Sequence, residues 1–283
     1  MKVETEPWDI MKKGGIILLK SDYHVHSISP DAGVPMEKMC KSAIKKGLEE
    51  IAFTDHYEFY AHGIVTEHFH EEYLRQYWRS LERCREKFEG QLVIRQGLEI
   101  GQMHLCPEKT LKVICAYPFD FIIGSLHKIE NIDVSQMEYT EKTMPQIAEA
   151  YYRHLLRLSE IGEFDCLGHL DLIKRHSAKN GLPDYYERYE KEIARILKNL
   201  IARGKGIEIN TSGFRQEVGE SMPSLKTVKL FADLGGTVVT VGSDAHKPEE
   251  VAADFIEAEK LLKEAGIREI TGFKRRRAFP EKI

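Results

Sequence analysis

Seven short apolar runs alternate with helical patterns along this 283-residue chain, and this alternation constrains the fold more than any other feature. In chain order the runs are "IILLKSDYHVH", "EEIAFTDH", "QLVIRQGLE", "FDFIIGSLH", "FDCLGHLD", "GIEINTS" and "GTVVTVGSDAH". Strands that alternate with helices form parallel sheets, and continuous apolar runs are typical of strands covered on both faces. The sequence therefore predicts an α/β protein built on a parallel sheet.

The helical patterns between these runs have recognisable ends. "PMEKMCKSAIKKG" opens with a proline, closes with a glycine and carries its apolar residues on one face. Two further patterns close at Gly90 and Gly204, where glycine can take the left-handed conformation that ends a helix. Because no repeat, low-complexity tract or flexible linker divides the chain, we expect one domain over residues 1–283, with residues 1–15 as an irregular N-terminal extension.

Composition narrows the classes of partner. With 41 basic and 45 acidic residues the chain is not a globally basic nucleic-acid binder, and the "KRRR" run at 274–277 is read as a solvated face. The N-terminal "IILL" is too short for a signal sequence or a membrane span, and the five cysteines form no C-x-x-C pair. We therefore expect reduced cysteines, a cytoplasmic location, and no nucleic-acid or membrane partner; the oligomeric state stays open.

Nearly every apolar run ends in residues that can bind a metal. Strand periodicity alone does not separate an open sheet from a closed barrel. In a parallel barrel, however, all strands open their C-terminal ends onto one face, so that distant residues converge there, whereas an open sheet spreads them along a crevice. We therefore predict a TIM-like barrel with a metal site at the C-terminal ends of its strands. The candidate residues at the strand ends are His24, His26, Asp55, His56, Glu99, His127, His169, Asp171, Asp244 and His246, with Asp31 in the first loop.

The residue types indicate which ions bind. Imidazole and carboxylate groups without thiolates are the ligand set of Zn²⁺, Mn²⁺ or Fe²⁺. One histidine at a strand end is more often a hydrogen-bonded core residue. Histidines at five separate strand ends need a common compensation for their lost hydration, and so many groups exceed the needs of one ion. The sequence therefore predicts two or three divalent transition metals.

The ordered motifs "DYHVHS", "TDH", "GLE", "GSLH", "GHLD" and "GSDAH" resemble those of the PHP (polymerase and histidinol phosphatase) superfamily, most of all its stand-alone histidinol-phosphate phosphatases. The resemblance implies a distorted (β/α)7 barrel that forms a single phosphoesterase domain. It also implies a division of the ligands among the metals. The first metal would be held by His24, His26, Glu99 and Asp244, the second by Glu99 as a bridge with His127 and His169, and the third by Asp31, His56 and His246.

One spacing departs from the family pattern. Family members usually place the acid or histidine of the third site six residues after the second histidine of H-x-H, whereas Asp31 follows His26 by five. We therefore expect the third metal site to have the lowest occupancy.

The resemblance also implies a reaction. Arg175 and Arg215 match positions where these phosphatases carry phosphate-binding arginines, and a planar guanidinium suits phosphate oxygens. We expect a metal-dependent phosphomonoesterase with a small phosphorylated substrate, L-histidinol phosphate in histidine biosynthesis. The implied nucleophile is a hydroxide bridging the metals, and no side chain is assigned a catalytic role. Two alternatives are a phosphoesterase acting on a nucleotide or phosphotyrosine, and a non-catalytic PHP binding module, which the complete set of motifs disfavours.

Overall fold

The computed structural model describes residues 19–28, 31–59, 71–183 and 185–283. The N-terminal extension expected over residues 1–15 lies outside these ranges. The strands are β1 (Ser21–Val25), β2 (Glu50–Phe53), β3 (His56–Glu58), β4 (Val93–Gly101), β5 (Phe121–Ser125), β6 (Lys128–Ile129), β7 (Ile132–Asp133), β8 (Cys166–Leu167), β9 (Gly206–Asn210), β10 (Val239–Gly242), β11 (Glu269–Lys274) and β12 (Arg277–Lys282). The α-helices are α1 (Met36–Lys45), α2 (Glu71–Lys87), α3 (Pro107–Ala116), α4 (Met144–Ile161), α5 (Ile173–Lys179), α6 (Tyr186–Ala202), α7 (Leu225–Asp233) and α8 (Phe255–Glu264).

Seven parallel strands form a nearly closed barrel in the order β1-β2-β4-β5-β8-β9-β10. Each strand comes from one of the seven apolar runs, so the predicted TIM-like barrel is confirmed. An isolated parallel bridge between Val25 and Ala245 joins the first and last strands, and the amide of His26 donates to the carbonyl of Ala245 at 2.9 Å. The short β3 extends past the end of β2 and pairs with β4, which places His56 opposite Glu99.

The helices cover the outside of the barrel with the faces that their sequence patterns predict. The buried residues of α1 recur every three or four positions, as do those of α6, so each helix presents one apolar stripe to the sheet. The glycines that follow α1, α2 and α6 have φ of +80°, +73° and +66°, as the helix-end prediction requires. The buried faces consist of Met36, Met39, Cys40 and Ala43 in α1, and of Tyr189, Ile193, Ile196, Leu197 and Leu200 in α6.

An antiparallel hairpin of β11 and β12 covers the N-terminal end of the barrel. Its Phe273 packs against Tyr23 and Phe121, which fill the barrel interior at that end, with ring centroids 6.3 and 4.9 Å away. The "KRRR" run forms the hairpin turn, and Arg276 is not simply solvated. Its Nε lies 3.1 Å from both carboxylate oxygens of Asp165, so Arg276 forms an ion pair with a buried residue of the barrel. No helix in the described ranges is long and apolar enough to cross a membrane.

The hairpin contact generates a stability prediction. Arg276→Ala removes the partner of Asp165, whose side chain is 8% exposed, and leaves that carboxylate with fewer donors. Since a hydrogen bond to a charged group contributes about 1.5–3 kcal/mol, we expect a loss of that size in the free energy of unfolding in urea. The matched control is Arg277→Ala on the same hairpin, where the side chain is exposed and a change within about 0.5 kcal/mol is expected. Equal losses in both variants would contradict a specific role for the Arg276 contact.

Candidate metal centre

The structure brings the nine predicted metal ligands together at the C-terminal mouth of the barrel. They come from the ends of six strands that are far apart in the sequence. His24 lies on β1 and His26 directly after it, Asp31 in the following loop, His56 on β3, Glu99 on β4, His127 after β5, His169 after β8, and Asp244 and His246 after β10.

Glu99 lies at the centre of this group, with imidazoles on both sides of its carboxylate. Its Oε1 is 2.8 Å from His169 Nε2 and 3.1 Å from His127 Nε2. Its Oε2 is 2.8 Å from His56 Nδ1 and 3.4 Å from His24 Nε2. Each oxygen thus faces a different pair of histidines, an arrangement that would allow the carboxylate to contact two ions.

His24, His26 and Asp244 form a second group, on the Oε2 side of Glu99. The Nε2 atoms of the two histidines are 3.0 Å apart, and His26 Nε2 is 3.3 Å from Asp244 Oδ1. Ligand atoms held about 2.0–2.1 Å from a tetrahedral zinc ion lie roughly 3.3 Å from one another. The spacing of these three groups therefore matches that of ligands around one ion.

Asp31 reaches the centre despite the shorter spacing in its loop. Its Oδ2 lies 3.0 Å from His56 Nε2 and 3.1 Å from His246 Nε2. The Asp31 side chain is 47% exposed, whereas the side chains of His24 and Glu99 are almost completely buried. The three residues of the third site are thus in contact, and its lower occupancy stays a prediction.

Two predicted strand-end acids serve other purposes. Asp55 accepts hydrogen bonds from the backbone amide and the hydroxyl of Ser27, each at 2.6 Å, and so fixes the chain beyond His26. Asp171 pairs with Lys174 at 3.0 Å and accepts from the amide of Ser224 at 3.1 Å. These acids stabilise the loops that carry the ligands.

The electrostatics of the centre keep its acids ionised. Burial raises the pKa of Glu99, but His127, His24 and His56 outweigh it and hold that pKa well below the usual range. Burial lowers the pKa of His26 to about 3, and the neighbouring His56 and His246 act in the same direction. Burial lowers the pKa of His127, but Glu99 and Glu58 outweigh it and raise that pKa to about 9. Positive charge on imidazoles such as His127 therefore holds Glu99 ionised, and a bound metal ion would supply that charge in place of the protons.

The buried polar atoms provide a test of whether divalent metals fit here. Glu99 Oε2 and His56 Nδ1 lie 2.8 Å apart, yet within the described part of the chain neither has a hydrogen-bond partner of acceptable geometry. Leaving such atoms unpaired in the interior is costly, and a shared cation would satisfy both lone pairs. Among the described residues the donors of the centre are imidazoles and carboxylates, and this donor set fits Zn²⁺, Mn²⁺ or Fe²⁺.

Two glutamates that were not predicted from the sequence contact ligand histidines at the ring nitrogen that faces away from the centre. Glu208 Oε1 lies 2.5 Å from His24 Nδ1, and its Oε2 accepts from the backbone amide of His169 at 2.9 Å. Glu58 Oε1 lies 2.6 Å from His127 Nδ1. A carboxylate on the far nitrogen of a metal-binding histidine fixes its tautomer and orientation. The signal in the sequence was a lone acid within the buried run "GIEIN".

The two predicted phosphate-binding arginines differ in how closely they approach the centre. Arg175 donates from Nη2 to Ser212 Oγ at 2.7 Å and lies 3.4 Å from Asp244 Oδ2, while its buried Nε has no partner in the described residues. Arg215 lies at the rim, with Nη2 donating to the carbonyl of Ser243 at 2.7 Å and Nη1 to Asp254 at 3.1 Å. Arg175 therefore has donors available beside the metal ligands, whereas those of Arg215 are largely engaged.

Comparison with known proteins places this centre in a family. The sequence model of the PHP domain matches residues 22–212, and the chain belongs to the PHP domain family. Histidinol-phosphatase from Lactococcus lactis is 30% identical over 260 residues, which cover 90% of this chain and 94% of that protein. A crystal structure of histidinol phosphate phosphatase from the same organism, complexed with zinc, L-histidinol and phosphate, superimposes with a TM-score of 0.76 at 26% identity, covering 92% of this chain and 98% of that one.

The glutamate behind His24 generates a prediction about metal affinity. Glu208→Gln keeps the shape of the side chain but removes the charge that orients the imidazole, and loss of such a partner typically lowers metal affinity by about 10–100-fold. We expect that decrease for zinc in competition with a chromophoric chelator. Glu217→Gln, at an exposed position near the same mouth, is the control and should bind zinc like the wild type. Unchanged affinity in a folded Glu208→Gln protein would rule out this role.

Proposed function

We propose that this protein is a metal-dependent phosphomonoesterase that hydrolyses L-histidinol phosphate to L-histidinol and phosphate. The observation that carries the proposal is the Glu99-centred group of imidazoles and carboxylates with Arg175 directly beside it. The imidazoles and carboxylates offer ligands for two or three divalent ions. A phosphoryl group bound to those ions would also be within reach of the Arg175 guanidinium. Identity of 30% to a histidinol-phosphatase over 90% of the chain supports the choice of substrate.

We assign the ligands as the family resemblance implies. The contact of His26 with Asp244 and those of Asp31 with His56 and His246 support this division. The 2.8 Å approach of His56 Nδ1 to Glu99 Oε2 places the third group directly beside the first. Glu99 would bridge the first and second ions. The first ion would be held by His24, His26, Glu99 and Asp244, the second by Glu99, His127 and His169, and the third by Asp31, His56 and His246.

The side chains of this protein prepare the site for an attack on phosphorus. When bound, the divalent ions supply Lewis acidity and an activated water. Glu99 and Asp244 remain anionic, since their pKa values are held well below the usual range by neighbouring imidazoles despite burial. Arg175 is held by the Ser212 hydroxyl at 2.7 Å, so that its remaining donors can neutralise charge on the phosphoryl oxygens. Arg215 would need to exchange its contact with Asp254 for the phosphate.

The proposal also includes the type of substrate, the cellular location and the pathway. The substrate is a small phosphorylated molecule rather than a nucleic acid, and the protein acts in the cytoplasm in histidine biosynthesis. These statements rest on the net charge of −4, the motif resemblance and the relatives' reaction.

A substrate panel tests the reaction. With zinc- or manganese-loaded protein, phosphate release from L-histidinol phosphate should exceed that from adenosine monophosphate and phosphotyrosine, by about tenfold or more in kcat/KM. Metal analysis of the same sample should find at least two equivalents per chain. Chelation should abolish activity, and re-addition of the metal should restore it. Preference for either other ester, or full activity of metal-free protein, would overturn the proposal.

The arginines generate a separate prediction. Loss of one transition-state donor typically lowers the rate by about 10²–10³, so Arg175→Ala should reduce kcat/KM for the best phosphomonoester by that factor. Metal content and melting temperature should stay near wild type. Arg175→Lys should recover only part of the loss, because an ammonium cannot make a bidentate contact. We expect a smaller decrease for Arg215→Ala, whose donors already have partners. Wild-type kinetics in Arg175→Ala would refute the phosphate contact.

A further inference from the structure

One asparagine at the end of β9 contacts several of the groups that build the metal centre, although its strand ends without a predicted ligand. Asn210 is the last residue of β9, and it is completely buried. Its backbone is held on two sides, by Gly242 in the register of β10 and by reciprocal hydrogen bonds of 3.0 Å with Met222. The position of the Asn210 side chain is therefore fixed by the sheet.

The orientation of the Asn210 carboxamide follows from its neighbours. Its Oδ1 accepts from the backbone amide of Ser212 at 3.1 Å, and an amide N–H can only donate. Nδ2 therefore faces the other way, where it lies 3.2 Å from Glu208 Oε2 and 3.3 Å from Asp244 Oδ2. Ionised carboxylate oxygens can only accept, so donors and acceptors match on both sides of the carboxamide.

The Nδ2 side of Asn210 supports ligands of the first ion. Asp244 turns its Oδ2 toward Asn210 and Arg175, at 3.3 and 3.4 Å, and its Oδ1 toward the histidines of the centre. Glu208, the other acceptor, contacts His24 Nδ1 with its second oxygen. Asn210 thus holds Asp244 directly and His24 through Glu208.

The Oδ1 side of Asn210 determines how Arg175 is held. The hydroxyl of Ser212 has one proton, and its nearer acceptor is Asn210 Oδ1 at 2.5 Å, compared with 3.3 Å to Asp244 Oδ2. When that proton is donated to Asn210, the Ser212 oxygen remains an acceptor, and Arg175 Nη2 donates to it at 2.7 Å. The hydrogen bonds therefore run from Arg175 through Ser212 to Asn210.

We propose that Asn210 is a positioning residue that couples the first metal site to the phosphate contact. One side of its carboxamide holds the metal ligand Asp244, and the other holds Arg175 through Ser212. This inference rests on the proposed role of Arg175 in phosphate binding. Loss of the carboxamide weakens the binding of zinc and of phosphate together, whereas loss of the Ser212 hydroxyl weakens the binding of phosphate alone.

Zinc affinity, measured by competition with a chromophoric chelator, tests the contact with the metal site. Partners of metal ligands typically contribute about 10–100-fold to metal affinity, so we expect a decrease of that size for Asn210→Ala. Asn210→Ser keeps an oxygen that can accept from the Ser212 amide but is too short to reach Asp244. It should lose as much zinc affinity, and it provides the test if Asn210→Ala does not fold.

The control for the zinc measurement is Asn199→Ala, which removes a side-chain hydrogen bond of 3.1 Å to Ser159 on the outside of the barrel. It should bind zinc like the wild type. Wild-type zinc affinity in a folded Asn210 variant would overturn the proposed contact with the metal site.

Binding of inorganic phosphate at saturating zinc tests the contact with the arginine. Asn210→Ala and Ser212→Ala should each weaken phosphate binding about tenfold, and Ser212→Ala should keep its zinc affinity near wild type. In an Arg175→Ala background neither substitution should weaken phosphate binding further, because both act through that guanidinium. Losses that multiply with the loss in Arg175→Ala, or unchanged phosphate binding in both single variants, would overturn the coupling.

These binding measurements are independent of hydrolysis. If the wild type binds zinc and phosphate but hydrolyses no ester, the proposed function fails, and the Asn210 variants still decide the coupling. If the wild type binds zinc but no phosphate, the coupling is overturned whatever the zinc affinities of the variants are.

Discussion

The centre of this protein depends on one buried carboxylate, that of Glu99, which lies between imidazoles from four different strands of the barrel. Removing a carboxylate from water is expensive unless its charge is compensated where it is buried. Here the compensation comes from His24, His56, His127 and His169, on strands that lie on both sides of β4 in the sheet. Barrel closure adds the residues after β10: the Val25–Ala245 bridge lies beside the contacts of His26 with Asp244 and His246, so it is a condition for the site as well as for the fold.

A second set of polar groups fixes the orientation of the imidazoles. Glu208 and Glu58 each accept from the far nitrogen of a histidine, and Gln102 links Glu58 to the backbone amide of His127 through bonds of 2.7 and 2.6 Å. The packing around Glu208 is tight, since a Cβ on Gly242 would lie 2.4 Å from its carboxylate. A Cβ on Gly242 would also lie 2.3 Å from the Cβ of His24. The glycine of "GSDAH" is thus required by close approach to His24 and to the carboxylate that orients it.

The two ends of the barrel have separate tasks. The C-terminal mouth carries unpaired polar atoms and Asp244 at a φ of +55°, a conformation that a non-glycine residue holds only when its surroundings enforce it. At the N-terminal end the β11–β12 hairpin packs Phe273 into the interior and pairs Arg276 with Asp165. This division agrees with the general pattern of α/β barrels, in which activity is found at one face and stability at the other.

The sequence by itself determined the seven strands, the ends of several helices and the polar residues at the strand ends, because a polar residue after a buried apolar run is a local pattern. The selection of nine of these candidates as ligands came from the family resemblance. The sequence also supported the closed barrel, since only closure gathers so many strand ends. Only the tertiary structure decided which acids face the histidines. Asp55 and Asp171 follow strands, yet they bind loop amides and Lys174. Glu99 and Glu208 both lie inside strands, and they contact the histidines. The physical reason is that the direction of a side chain depends on barrel closure and on the neighbouring strand, and neither is encoded in the residues beside it.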